Sequence, residues 1–419
     1  MGGRRFVEST VPALIAEPVD RLSKENYKFL KSKLGLILCD YYLLVDVAPE
    51  APEKQDHGDI DFLVQQPFPD TNTDTLVQAL DAVDVARPKG DSTITSFAVP
   101  YSDHSTGATK HAQVDLQVCP GNTIEWMTHR WSYSTSWDIL GYVVRPFGFT
   151  PNDVGLYLRI EEGEGNSKKG KAKGNMLFLS SSPRPIVEFL GMSWAEFEAG
   201  FDTLDQLFGW LATCRLLRRR NDVVEDGNAR DRARVKKRDL FRKFLFEWVP
   251  ERGLGREKGE LPSRAVVREE ALEFFGKREE YEAKLAAIIH VKDEKMAADL
   301  IVSAMDEASE AGEKEVSKRT PNLVKRAVVR WMTLDGKGGY ALRADVEMDP
   351  ERQVWLGQLL DANRIDLKPD FKAWLASNWK GLKAKEKHRI GEDYDAGRSA
   401  RDTPEAKKDD VVQNGDGEA

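Results

Sequence analysis

Three segments between residues 58 and 120 read as β-strands, and two of them carry acids confined to one face. They are "GDIDFLVQQ" from Gly58, "STITSFAVPY" (92–101) and "KHAQVDLQVCP" (110–120). Side chains two apart on a strand share a face. Asp59, Asp61 and Leu63 therefore lie on one side, and Ile60, Phe62 and Val64 on the other. The third segment has the complementary pattern, with Val114, Leu116 and Val118 opposite Gln113, Asp115 and Gln117. The second and third are expected to pair antiparallel across the polar connection "SDHSTGATK". A fold that satisfies these facings gathers Asp59, Asp61 and Asp115 above one face of a sheet.

Three converging carboxylates in a partly dehydrated site repel one another unless cations neutralise them. Oxygen ligands select hard divalent ions, Mg²⁺ or Mn²⁺, and Mg²⁺ keeps coordination positions open for substrate phosphates. Two such ions about 4 Å apart serve an in-line displacement at phosphorus. For Asp59 and Asp61 the competing reading is a solvated strand entrance, with an Asx turn through Asp56. Asp115 alone reads as the polar face of an amphipathic strand.

The order Gly58-Asp59-Ile60-Asp61-Phe62-Leu63-Val64, then a helix, then Val114-Asp115-Leu116, resembles the DNA polymerase β-like nucleotidyltransferase superfamily. The resemblance covers roughly residues 24–145. It implies that Asp59 and Asp61 hold the ions that bind a nucleoside triphosphate, and that Asp115 completes the second ion site and helps deprotonate the attacking hydroxyl. In glycosyltransferases and phosphatases with a D-x-D, the apolar strand precedes the acids; here it follows them. The superfamily's glycine-serine turn, about ten residues upstream, has Val47-Ala48-Pro49 in its place. Pro49 removes a backbone donor. Either the phosphate cradle is built differently, or activity is lost and the chain is a nucleotide-binding or scaffold protein.

Around the acids, Gly58, Lys110, Arg130 and Ser136 are candidate nucleotide contacts. His57 and His111 flank the acids as phosphate or base contacts, or as plain polar surface. The mix "THRWSYSTSWD" (128–138) suits base stacking and ribose binding. Alternatively Trp131 and Trp137 are core anchors, and Ser134 or Ser136 caps a helix. The stretch 215–243 holds twelve basic residues against five acids. It reads as helix faces laced with ion pairs, or as a groove for triphosphate or RNA.

The expected fold class is α+β: an N-terminal palm-like mixed sheet with helices, a largely helical region and a disordered C-terminal tail. Residues 1–182 form the α/β domain, with a flexible loop at 161–175. A helical domain follows at 183–312, then a small mainly helical region at 313–390 and the tail at 391–419. Within this plan "SKENYKFLKSKLG" (23–35) is a helix capped by Ser23, "LILCDYYLLVDV" is a buried type of strand, and "DTLVQALDAV" (74–83) is a short helix. A further helix spans 134–148, strands lie at "VGLYLRI" and "MLFLSS", and Ser193 with Glu196 forms a capping box. "DGKGGY" (335–340) departs from the phosphate-binding Walker frame and reads as a turn.

The chain of 419 residues is 41% apolar and 32% charged, with no apolar run of the roughly 18 residues a membrane span needs. Its net charge of −8 argues against wholesale coating of nucleic acid. Cys39, Cys119 and Cys214 are widely spaced and suit a reducing compartment, cytoplasm or nucleus. Phe6 stands where a myristoylation signal needs Ser or Thr.

Overall fold

The computed structural model describes residues 5–87, 93–134, 136–164, 175–218, 238–310, 320–334, 340–342 and 368–401. The chain divides into two units, Met1–Glu282 and Ala283–Ala419, a different partition from breaks at 182 and 312. The described part is a mixed α+β structure with three small sheets and one of five strands.

The first unit is organised by that five-stranded sheet. Its strands are β2 (Tyr42–Asp46), β4 (Ile60–Pro67), β5 (Asp84–Ala86), β6 (Ile94–Ser102) and β7 (Thr109–Val118), in the order β2-β4-β7-β6-β5. β1 (Leu22–Ser23) and β3 (Asp56–His57) form a separate antiparallel pair. β6 and β7 pair antiparallel as expected. β4 and β7 run parallel, with Asp61 opposite Asp115. That one register sets two carboxylates side by side.

One face of the sheet carries Ile60, Phe62 and Val64 of β4, Val114 and Leu116 of β7, and Phe97 and Val99 of β6, all buried. They meet helix α2 (Lys24–Leu38), which follows the short helix α1 (Pro12–Ala16). α2 forms where Tyr27, Leu30, Leu34 and Leu38 recur at helical spacing, and all four are buried. Ser23 accepts a hydrogen bond from the Asn26 N–H at 3.2 Å, satisfying one open donor of the first turn. Truncating a fully buried member such as Leu34 to Ala costs about 2–5 kcal/mol.

The helix continues to Leu38, so "LILCDYYLLVDV" is a helix end, a turn and then β2 rather than one buried strand. β2 bonds only to β4 and lies at the sheet edge, which leaves Leu43 and Leu44 exposed. A helix over Thr73–Ala79, α3, is capped by Asn72 and matches the expected segment.

The opposite face of the sheet carries the acids. Above it lie α4 (Ile124–Trp131) and α5 (Ser136–Val144). The Oε1 of Gln65, from β4, accepts the backbone N–H groups of Thr123 and Ile124 at 3.0 and 3.1 Å. This bond ties the start of α4 to the strand that bears Asp61. Two consecutive non-glycine residues in the left-handed region, Tyr133 and Ser134, turn the chain between the two helices.

A three-stranded antiparallel sheet follows: β8 (Phe149–Pro151), β9 (Leu156–Arg159) and β10 (Met176–Ser180) in the order β10-β9-β8. β9 and β10 are the two strands expected around 161–175, whose residues 165–174 lie outside the described set. Helices then span Pro183–Phe189, Trp194–Ala199, Leu204–Ala212 and Arg264–Phe274. Ser193 accepts the Glu196 N–H as expected, at 3.2 Å.

The second unit holds most of a helix from Arg278 to Glu310, helices Thr320–Trp331 and Lys368–Arg401, and the antiparallel pair β11 (Met332–Leu334) and β12 (Tyr340–Leu342). Its core gathers Ile301, Met305, Val324, Val328, Phe371 and Leu375. The last helix reaches Arg401, so residues 391–401 are helical and not the beginning of a structureless tail. The expected turn at 335–339, the helix near 350–361 and the tail beyond 401 lie outside the described residues. Among the described residues no helix is long and apolar enough to cross a membrane.

Candidate metal centre

The triad forms where two parallel strands begin to pair. Asp59 precedes β4, Asp61 is its second residue, and Asp115 stands opposite Asp61 on β7. One carboxylate oxygen from each lies within 4.8 Å of the others, and all three side chains are partly buried. Three acids in this arrangement can hold a metal ion.

Electrostatics records the crowding. Burial, then the charges of Asp59 and Asp115, push Asp61 up from the usual carboxylate value of 3.8 to about 7. Asp115 is also raised, chiefly by burial, while hydrogen bonds from Ser96 and Gln113 pull the other way. The Gln113 amide Nε2 donates to both Asp115 oxygens at 3.0 Å. Its own Oε1 accepts the Arg5 backbone N–H, so the amide is held from both ends. No described basic side chain forms a salt bridge with any of the three acids, and the donor set is hard oxygen throughout.

Asp59 and Asp61 form part of the wall of a cleft of about 850 Å³. Six cationic residues share that wall: Arg21, Lys54, Arg130, Arg145, Arg159 and Arg238. Several are already engaged. Arg21 bonds Asp56 at 2.7 Å, Arg130 pairs with Asp153, and Arg238 pairs with Asp138. Partial burial holds the Arg159 and Arg238 guanidinium groups below their usual value. A cleft so rich in cations beside a carboxylate cluster suits a polyanion that bridges the two.

The loop Val47–Glu50 also lines the cleft. The Pro49 carbonyl accepts the Tyr133 N–H at 2.6 Å, tying this loop to the α4–α5 turn. Glu50 accepts Lys54 Nζ at 2.6 Å and the Tyr27 hydroxyl at 3.3 Å. His57 stacks on Tyr27, with centroids 3.8 Å apart, and its Nδ1 is 3.6 Å from Glu50. Burial lowers the His57 pKa, favouring the neutral ring.

Of the residues singled out from sequence, Asp59, Asp61 and Asp115 come together, and Gly58, Arg130, Ser134, Trp131 and Trp137 line the cleft beside them. The Trp137 indole N–H is buried and has no acceptor among the described residues, and its ring packs edge-on against Trp126 and His129. Ser136 departs from expectation: it is buried and donates to the Ser132 carbonyl at 2.7 Å. Lys110 is also a correction. It sits 3.3 Å from Asp103, on the strand phase opposite to Asp115. His111 bonds the Glu17 carbonyl through Nδ1 at 2.8 Å and does not line the cleft. Of the basic stretch 215–243, Arg238 reaches the cleft, while residues 219–237 lie outside the described set.

Sequence reasoning missed Arg21, Lys54, Arg145 and Arg159. Each sits in a different element, and no local pattern links them. Glu50 and Lys54 carry an i,i+4 signal in "PEAPEK" that points to an ion pair and nothing further. No protein-family model matches the chain, and no curated protein matches it in sequence.

Proposed function

We propose that the chain is a divalent-cation-dependent nucleotidyltransferase of the DNA polymerase β-like kind, its five-stranded sheet serving as the palm. It moves a nucleoside monophosphate from a triphosphate to a hydroxyl acceptor and releases pyrophosphate. The observation that carries this reading is the Asp61–Asp115 register, which gathers three carboxylates beside a cleft lined with cations.

Asp59, Asp61 and Asp115 are the residues that would hold Mg²⁺ or Mn²⁺, two ions in all. When bound, the ions neutralise charge at the reacting phosphate. The rest falls to the chain. Arg145 and Arg159, both half-buried on the cleft wall, bind and orient phosphate oxygens. Trp131, half-buried on the cleft wall, offers its ring to the base. Asp115, fixed by the Gln113 amide and raised in pKa, takes the proton of the attacking hydroxyl at a carboxylate oxygen. The acceptor is a small molecule, a protein side chain or an RNA end.

A second reading has its own support. Glu50 puts a carboxylate on the cleft wall, and the Pro49 carbonyl is occupied by Tyr133. A chain with this loop in place of a glycine-serine turn suits a nucleotide-binding sensor or scaffold. Labelled ATP, GTP, CTP and UTP, incubated with Mg²⁺ or Mn²⁺ and candidate acceptors, separate the two. Pyrophosphate release by the wild type and not by the Asp59→Ala/Asp61→Ala variant supports transfer. Cation-dependent binding without release supports the sensor, and absence of both defeats the metal-centre reading.

A further inference from the structure

A second cavity lies in the same unit. It has a volume of about 400 Å³ and is walled by Tyr142, Val143, Phe147, Leu217, Leu245 and Leu261. Protein interiors are close-packed, and voids larger than a water molecule are few. The pocket opens to solvent, and its largely apolar lining favours an apolar guest. This volume falls in the range of about 300–1,000 Å³ typical of small-molecule sites. Among the described residues Arg218 is the lining's one charged residue, and Ser263 supplies a hydroxyl. An apolar body with a single cation fits a singly charged acid and disfavours a polyanion.

The position of this pocket relative to the cleft is the second observation. α5 and the turn that follows it stand between the two. Trp137, Asp138, Gly141 and Arg145 recur at helical spacing along the cleft. Tyr142, Val143, Pro146 and Phe147 line the pocket from the other side of the same segment. A second connection runs through the opposite wall. Pro262 and Ser263 lead into helix Arg264–Phe274, where Ser263 accepts the Val266 N–H at 3.3 Å. Arg264 donates through Nη2 to the Arg159 carbonyl at 3.0 Å, and Arg159 lines the cleft.

We propose that this pocket binds a small monocarboxylate with an aliphatic or aromatic body, and that its occupancy is transmitted to the cleft through α5 and Arg264. The binding half stands by itself; the transmission half rests on the reading of the cleft as a triphosphate site. Guest atoms against Val143 and Phe147 press on the segment that carries Asp138 and Arg145. Atoms against Leu261 press on the start of the helix that holds Arg159 through Arg264. The carboxylate pairs with the Arg218 guanidinium at the pocket mouth.

Decanoate and decan-1-ol, both below their aggregation limits, are titrated into the full chain by calorimetry. Decanoate is expected to bind once per chain and at least about tenfold tighter than the alcohol, as a charge-assisted contact requires. Arg218→Gln, a change at an exposed side chain, should erase that preference, and Val143→Trp should fill the pocket and abolish both. Hydrogen exchange with decanoate bound should slow in 136–147 and 156–164. Equal affinity for acid and alcohol, or binding indifferent to Arg218→Gln, overturns the proposal even where Val143→Trp fails to fold. Decanoate should also shift the affinity for Mg²⁺·nucleoside triphosphate by about threefold or more, with the reciprocal shift in its own affinity. If the nucleotide fails to bind while decanoate behaves as stated, the cleft reading falls and the pocket stands. If the nucleotide binds and decanoate does not, the pocket proposal falls alone. Binding of both without mutual effect overturns the transmission half.

Discussion

Replacing Asp61 by Asn should stabilise this protein when divalent cations are withheld. The wild-type carboxyl moves from 3.8 to about 7 on folding, driven first by burial and then by Asp59 and Asp115. An acid held above its unfolded value burdens the fold at every pH above that value. The burden grows from about pH 4 to pH 7 and is constant beyond, where it amounts to about 4 kcal/mol. The substituted amide would carry no charge and would offer N–H donors to the acceptor oxygens of Asp59 and Asp115. A gain of about 2–4 kcal/mol at pH 8 is expected, the lower end allowing for imperfect hydrogen bonds. Below about pH 4 the two proteins should converge. The assay is urea unfolding in chelator across pH 4–9. Saturating Mn²⁺ should close most of that gap, adding about 2.7 kcal/mol to the wild type at a hundredfold excess over its dissociation constant and far less to the variant. A variant equal to or less stable than the wild type in chelator at pH 8 would refute the reasoning, because burying the Asp61 charge beside two other acids would then carry no cost.

Three more outcomes are expected. His129 is buried against Trp126, Trp137, Trp194 and Phe197, and its ring nitrogens have no partner among the described residues. Burial pushes it down to about 3, so the unfolded chain takes up the proton first. Stability should be unaffected above about pH 6.5 and fall by up to about 5 kcal/mol on the way to pH 3, a slope that His129→Phe removes in urea titrations. Arg145→Ala should weaken Mg²⁺·nucleoside triphosphate binding about tenfold or more in a fluorescent-nucleotide titration, as loss of a charge-assisted contact requires. Gln113→Leu removes the donor that fixes Asp115, and should lower turnover more than nucleotide affinity in a pyrophosphate-release assay.

The parts of the centre legible in the sequence are those governed by local alternation. Asp59, Asp61 and Asp115 share a face because a strand repeats every two residues, and that pattern survives folding. The same rule places Lys110, an odd number of residues from Asp115, on the other face, so its assignment to the site contradicted the alternation that located the acid. Which strand lies beside β4 is a non-local choice. The parallel β4–β7 pairing with β6 beyond it depends on the whole sheet. The edge position of β2 was hidden for the same reason: an apolar run reads alike as a helix end, a buried strand or an edge strand. The arginines of the cleft come from the β1 approach, α4, the turn after α5, β9 and the basic stretch, and only tertiary packing brings them to one wall.

The claim that Asp59, Asp61 and Asp115 form a metal centre for nucleotide chemistry is tested most directly by Mn²⁺ anomalous scattering. Crystals of the chain grown with Mn²⁺ and a non-hydrolysable nucleoside triphosphate should show anomalous peaks among the three carboxylates, with the triphosphate reaching toward Arg145 and Arg159. Nucleotide density in the cleft without such a peak, or Mn²⁺ bound only elsewhere on the chain, would contradict it.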